Sequence, residues 1–287
     1  SGSSNTDKLT NVGTLSLTGV ETDAVVGYST NGTDWTDSFT PVEGSNTVYV
    51  RQTDSAGNVS ASSSAFTFVQ DTVVPTIALT SNVTSLHSGQ TATVTFTLSE
   101  AATDFDINDI VVTGGTLSNF TGSGTSYTAT FTPDASSTAD GTIRVDSSRF
   151  TDAAGNANTD GTDSNNALTF SIDTAIPVAP TLSLATDSGS SNTDKLTNVG
   201  TLSLSGVETD AVVEYSINGI DWTSSFTPVE GTNTVYVRQT DLAGNVSASS
   251  AAFTFVRDTV VPTIALTSNV ASLHAGQTAT VTFTLSE

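Results

Sequence analysis

The sequence predicts an all-β chain of sandwich domains set in a linear array, and three observations carry that prediction. First, apolar and polar residues alternate in runs rich in Val, Thr, Phe and Tyr: "NTVYVRQT" (46–53), "SAFTFV" (64–69), "TATVTFTLS" (91–99), "SYTATFTP" (126–133) and "ALTFSIDT" (167–174). A period of two buries one face of a sheet and wets the other. Second, turn signals at Asn31-Gly32, Gly114-Gly115, Asp140-Gly141 and Asn218-Gly219 separate these runs, and no stretch has a convincing helical period. Third, the chain repeats itself at a period too long for a solenoid, so each unit is a domain with its own core. Together these define tandem immunoglobulin-like β-sandwich domains.

Taken in chain order, residues 1–100 realign on 188–287 with about eleven differences, and the natural breaks are "DTVVP" (71–75), "DTAIP" (173–177) and "DTVVP" (258–262). They divide the chain into a module of type A (1–70), one of type B (71–172), a second A (173–257) and a second B (258–287). The first A is expected to lack its opening strand, and the last B to stop about a third of the way through. The sequence therefore reads as a piece of a longer array, with targeting signals out of view.

Seven basic residues stand against 29 acidic ones, for a net charge of -22. That balance excludes nucleic acid and anionic membrane surfaces as partners and makes a cation the natural one. With no cysteine there are no disulfides, thiolate metal sites or Cys nucleophile. No apolar run approaches the roughly 20 residues needed to span a bilayer, so membrane insertion is not expected. Trp35 and Trp222 follow Asn-Gly turns and read as rings packed on the sandwich. The histidines, His87 and His274, fall in equivalent turns with no nucleophile motif beside them, so an enzyme is not expected.

One pentad recurs in otherwise dissimilar surroundings. D-x-A-G-N occupies 54–58, 152–156 and 241–245, each time 17 to 21 residues ahead of the next D-T-x-x-P. In an immunoglobulin-like sandwich the incoming chain, the loop between the second and third strands and the loop before the last strand share one end of the domain. In module B this geometry should gather Asp71, Glu100, Asp104, Asp106, Asp152 and Asn156. In the complete A module it should gather Asp173, Glu208, Asp210, Asp241 and Asn245, with Glu21, Asp23, Asp54, Asn58 and Asp258 as the counterparts in the remaining copies.

Carboxylates about 4 Å apart repel by roughly 4 kcal/mol per pair at an effective dielectric of 20, so a positive charge is required among them. Ca²⁺, which takes six to eight hard oxygens, suits this donor set better than Mg²⁺ with its strict octahedron or a metal seeking His or Cys. The competing account is a capped turn in which Asp bonds its own backbone. A further Ser- and Asn-rich stretch holding Asp187 and Asp194 reads equally well as an ordinary turn or a loose metal loop.

The stretches "VYVRQTDSAGNVSASSSAFTFVQDTVVPT" and "VTFTLSEAATDFDINDIVVTGG" resemble tandem bacterial immunoglobulin-like repeats of giant type I secreted adhesins, the RTX-type and biofilm-associated proteins. The resemblance implies an extracellular stalk on the bacterial cell surface, stiffened by calcium at module junctions. Its partners would be calcium and neighbouring modules, with the host or surface ligand bound elsewhere in the full protein. No retention module and no glycine-rich nonapeptide repeat accompanies it. The alternative is that the repeats themselves bind a glycan, protein or ice ligand.

Overall fold

The structure is a computed structural model that describes residue 4 and residues 6–286; the outermost ends of the first and last modules lie outside the described residues. Among the described residues all regular structure is strand, apart from 3-10 turns at Ile107–Asp109 and Ser164–Asn166. The chain divides into two compact units, one ending at Ala175 and the other beginning at Ile176.

The first unit opens with β1 (Leu9–Thr10), β2 (Val25–Ser29), β3 (Gly44–Thr53) and β4 (Phe66–Gln70), which form one sheet in the order β1-β4-β3-β2. Module B follows with β5 (Ile77–Ser81), β6 (Ser85–His87), β7 (Ala92–Leu98), β8 (Ile110–Thr113), β9 (Gly115–Ser123), β10 (Ser126–Pro133), β11 (Gly141–Val145) and β12 (Ala167–Asp173). These make two four-stranded sheets, β5-β7-β10-β9 and β6-β12-β11-β8. The sheets face each other across the core, as the alternation requires. In β7, Ala92, Val94 and Phe96 are 0% exposed, whereas Thr93 and Thr97 on the opposite face are exposed to water. Phe131 of β10 stacks on Phe170 of β12 at 4.8 Å between ring centroids, joining the two sheets. Each such ring contributes about 1.5–3 kcal/mol of burial.

The second unit holds β13 (Thr181–Leu184), β14 (Leu196–Thr197), β15 (Leu202–Ser205), β16 (Val212–Ser216), β17 (Gly231–Thr240) and β18 (Phe253–Arg257), paired as β13-β15 and β14-β18-β17-β16. A hairpin of β19 (Ile264–Ser268) and β20 (Val281–Leu285) follows. The tryptophans pack against the sheet through cations: the Arg51 guanidinium lies 4.2 Å from the Trp35 ring and that of Arg238 lies 4.4 Å from Trp222.

In module B the start of β5 lies beside the end of β7, because Ile77 pairs with Leu98 in antiparallel register. The loop after β7 is tied to the loop after β11 by a bridge between Ala102 and Asp152, and the Thr103 amide donates to the Thr151 carbonyl at 3.0 Å. Three chain segments distant in sequence thereby share one end of the sandwich.

Candidate metal centre

The pentad is a self-contained turn in all three copies. Asp54 Oδ1 accepts from the Asn58 amide at 2.8 Å and Oδ2 from Asn58 Nδ2 at 2.8 Å. Asp152 does the same with Asn156 at 2.9 and 2.8 Å, and Asp241 with Asn245 at 2.8 and 2.8 Å. The glycine in each has a positive φ, 89° at Gly57, 89° at Gly155 and 97° at Gly244, which an L side chain adopts only with strain. The turn chemistry alone accounts for the recurrence of Asp, Gly and Asn. Hydrogen bonds from Asn58, its side chain first, hold the Asp54 carboxyl below its ordinary range. Burial pushes Asp241 the other way, but donors from Asn245, Gly244 and Ala243 outweigh it and the net shift is down.

What differs is the company the pentad keeps. In module B, ligand-capable oxygens of Asp71, Glu100 and Asp152 all lie within 4.8 Å of one another, the one such acidic trio among the described residues. Asp152 is 2% exposed and Asp71 and Glu100 are half-buried. Asn156 Nδ2 also donates to the Asp71 carbonyl at 2.9 Å, so the pentad clamps the connector beside its own Asp. Burial raises the proton affinity of Glu100, and the charges of Asp71, Asp152 and Glu43 raise it further.

Two residues expected in this cluster turn elsewhere. Asp104 is spent on Thr151, accepting from its amide at 2.7 Å and its hydroxyl at 3.1 Å. Asp106 caps the 3-10 turn, accepting from the Asn108 amide at 2.6 Å in a reciprocal box with Asp109. Both are correctly placed in the loop but drawn off by nearer donors. Asn156 also differs from a ligand's role, because the amide nitrogen, a donor, is what it aims at Asp152 and Asp71.

The equivalents in the A modules are arranged otherwise. Asp173 belongs to the first unit, where its Oδ1 accepts from the Ala175 amide at 3.1 Å, while Glu208, Asp210, Asp241 and Asn245 belong to the second. Glu208 and Asp210 flank a tight turn closed by the Ala211 amide on the Glu208 carbonyl at 3.3 Å, with Asp210 left-handed at φ 62°. Glu21 and Asp23 repeat that turn, exposed, with Asp23 at φ 63°. Asp258 accepts from the Val260 amide at 2.9 Å, as Asp71 does from Val73 at 3.1 Å. Asp187 and Asp194 accept from the Lys195 and Leu196 amides at 2.9 and 3.0 Å, within one loop.

Sequence reasoning missed Glu43. It comes from module A, in "PVEG" just before β3, and its Oε2 accepts from the Thr72 amide at 3.0 Å and the Thr72 hydroxyl at 2.7 Å. Glu230 holds Thr259 in the same way. The recurring Thr of D-T-x-x-P is thus the anchor of the connector. That Thr, unexplained by carboxylate reasoning, was the available signal.

The residues present fit a hard divalent cation. All three donors are carboxylates, and an oxygen that accepts one hydrogen bond keeps a lone pair for an ion. Among the described residues the ion pairs lie elsewhere, joining Arg144 and Arg149 to Asp146 and Arg238 to Glu214. The trio therefore carries uncompensated negative charge.

Residues 71–169 and residues 175–259 match two profiles, each described as a bacterial Ig-like domain. The chain belongs to the bacterial Ig-like domains, two of which it carries in tandem. No curated protein sequence matches it. One similar solved structure is that of Bacteroides ovatus mixed-linkage glucan utilization locus SGBP-B in complex with a mixed-linkage heptasaccharide, at 15% identity and a TM-score of 0.19, covering 88% of this chain and 66% of that one. Among the described residues no helix is long and apolar enough to cross a membrane.

Proposed function

We propose that the chain is a run of extracellular repeats of a bacterial surface protein that serves adhesion, with Asp71, Glu100 and Asp152 holding one calcium ion where module A meets module B. A single observation supports this reading: three carboxylates from the connector and two loops converge within 4.8 Å, with no cationic side chain among them. When bound, the ion supplies positive charge that ties the connector to both loops. Glu43 fixes Thr72 beside it, and Asn156 fixes the Asp71 backbone. Extracellular calcium modules bind at about 0.1–1 mM, so 10 mM calcium stabilises such a fold by roughly 1.4–2.7 kcal/mol. Thermal melting of the whole chain should rise with calcium and rise less with magnesium, and Asp152→Asn should erase most of the gain. An equal calcium shift in that variant would remove this trio as the site.

A second reading, in which the repeats themselves bind a glycan, protein or ice ligand, is favoured by the solvent face of module B. Thr80, Thr95, Thr128 and Thr121 stand opposite one another across all four strands of one sheet, a row of methyl and hydroxyl groups at strand spacing. Glycan-array retention or inhibition of ice recrystallisation that is lost in Thr95→Lys would support it. Equal behaviour of that variant and the parent chain would exclude this face.

A further inference from the structure

Both A modules stack an arginine on a tryptophan, but only the second supplies that arginine with a carboxylate. The hairpins β2–β3 and β16–β17 match: Tyr28 bridges Thr36 as Tyr215 bridges Thr223, and Gly27 stands opposite Arg51 where Glu214 stands opposite Arg238. In the second module Arg238 Nε donates to Glu214 Oε2 at 2.8 Å, and Nη2 lies 2.8 Å from the same oxygen. The Arg238 guanidinium, 4.4 Å from the Trp222 ring, is thus both stacked and neutralised.

In the first module glycine removes the carboxylate and leaves the rest. Arg51 stays 4.2 Å from the Trp35 ring, and among the described residues no ion pair engages it. The stack holds a planar donor fork in place without its acceptor. A Cβ at Gly27 would meet Arg51 Cγ and Trp35 Cε3 at 3.6 Å and Arg51 Nε at 3.7 Å, so there is room here for the start of a side chain such as Glu214 carries. Residues alternate along a strand, so Arg51 and Arg238 lie on the face opposite the buried Val48 and Val235. Both arginines face outward.

We propose that Arg51, stacked on Trp35 beside Gly27, binds a single carboxylate on a short aliphatic stem, as the glutamyl side chain of a partner protein presents it. The occupant is defined by Glu214, which brings one carboxylate oxygen to both Nε and Nη2 of the matching arginine. Charge narrows the choice further. A chain of net charge -22 repels a polyanion over a Debye length of about 10 Å at 0.1 M salt, so an isolated carboxylate approaches more readily than an acidic polymer. An exposed pair of this kind is weak alone, which makes it one contact within a larger interface. In the second module the internal glutamate outcompetes any free carboxylate. One site per two A modules follows, and it draws on none of the residues proposed to hold calcium.

The test follows the Arg51 Nε–H and Trp35 Nε1–H signals of the whole chain by NMR as N-acetylglutamic acid α-amide is added at constant ionic strength. The corresponding glutamine derivative is the neutral control. Saturable shifts of both signals with the glutamyl probe, and none with the glutaminyl one, are the expected result. Gly27→Glu should abolish them by supplying the internal carboxylate, and Glu214→Gly should confer the same response on Arg238 and Trp222. Glucuronate, whose carboxylate sits directly on a ring, should bind more weakly. Absence of a saturable shift, an equal response to the glutaminyl probe, a response that survives Gly27→Glu, or silence of Arg238 in Glu214→Gly would each overturn the proposal. Glucuronate binding as tightly as the glutamyl probe would overturn the choice of a glutamyl group.

Discussion

Glu100 sits where burial first, and then the charges of Asp71, Asp152 and Glu43, favour its protonated form. At 4.8 Å a like-charge pair costs about 1 kcal/mol in water and about 3.5 kcal/mol at an effective dielectric of 20. A carboxyl whose folded value is raised contributes stability that is fully present below its ordinary value of 4.5 and is lost as pH rises through the raised one. In chelator the first unit should therefore lose stability as pH climbs above 4.5. Asp54, Asp241 and Glu230 are shifted down, so their contribution is present above their ordinary values and is lost as pH falls below them. That window lies under the one for Glu100. Glu100→Gln should flatten the upper limb and raise the metal-free midpoint of this 1–175 unit by about 2–4 °C, the equivalent of about 1 kcal/mol. The same variant should lose most of the calcium response. Melting curves at pH 4 to 8, in EDTA and in calcium, check both signs; a variant less stable than the parent in EDTA would show that Glu100 is not repelled by its neighbours.

At the scale of the element, alternation and turn chemistry were readable because each is decided within a few residues. The run "TATVTFTLS" places Ala92, Val94, Phe96 and Leu98 in the core wherever the strand sits in the sheet. Convergence of Asp71, Glu100 and Asp152 was readable too, because the sandwich topology sends their three segments to one end. Which carboxylates remain available there was not. Asp104 lies four residues from Glu100 in the same loop, yet the bridge between Ala102 and Asp152 puts the Thr151 amide 2.7 Å from it. That outcome depends on backbone placement to a fraction of an ångström, which spacing does not encode. Glu43 was hidden for a related reason: it acts on module B from module A, and a reading confined to one module does not look across the junction. The pentad is a hydrogen-bonded turn in all three copies, and among the described residues it meets two more carboxylates in module B alone.

At the scale of the whole chain, the net charge of -22 raises a choice between two ways a cation can stabilise it. A diffuse counterion cloud acts over the Debye length, about 10 Å at 0.1 M salt and about 3 Å at 1 M. Monovalent salt relieves repulsion between carboxylates spread over the surface as well as calcium does once the Debye length is short. The trio is another case, because its oxygens lie within 4.8 Å and Asp152 is 2% exposed, so screening ions have little access between them. A chelated ion replaces that repulsion with direct attraction whatever the ionic strength. Raising NaCl from 0.1 to 1 M in EDTA should therefore increase the melting temperature modestly, and adding 10 mM calcium at 1 M NaCl should still give a further rise. In Asp152→Asn the salt effect should persist and the calcium rise should be largely lost. If calcium instead adds nothing once NaCl reaches 1 M, its action is that of a general counterion, and the convergence of Asp71, Glu100 and Asp152 holds no ion.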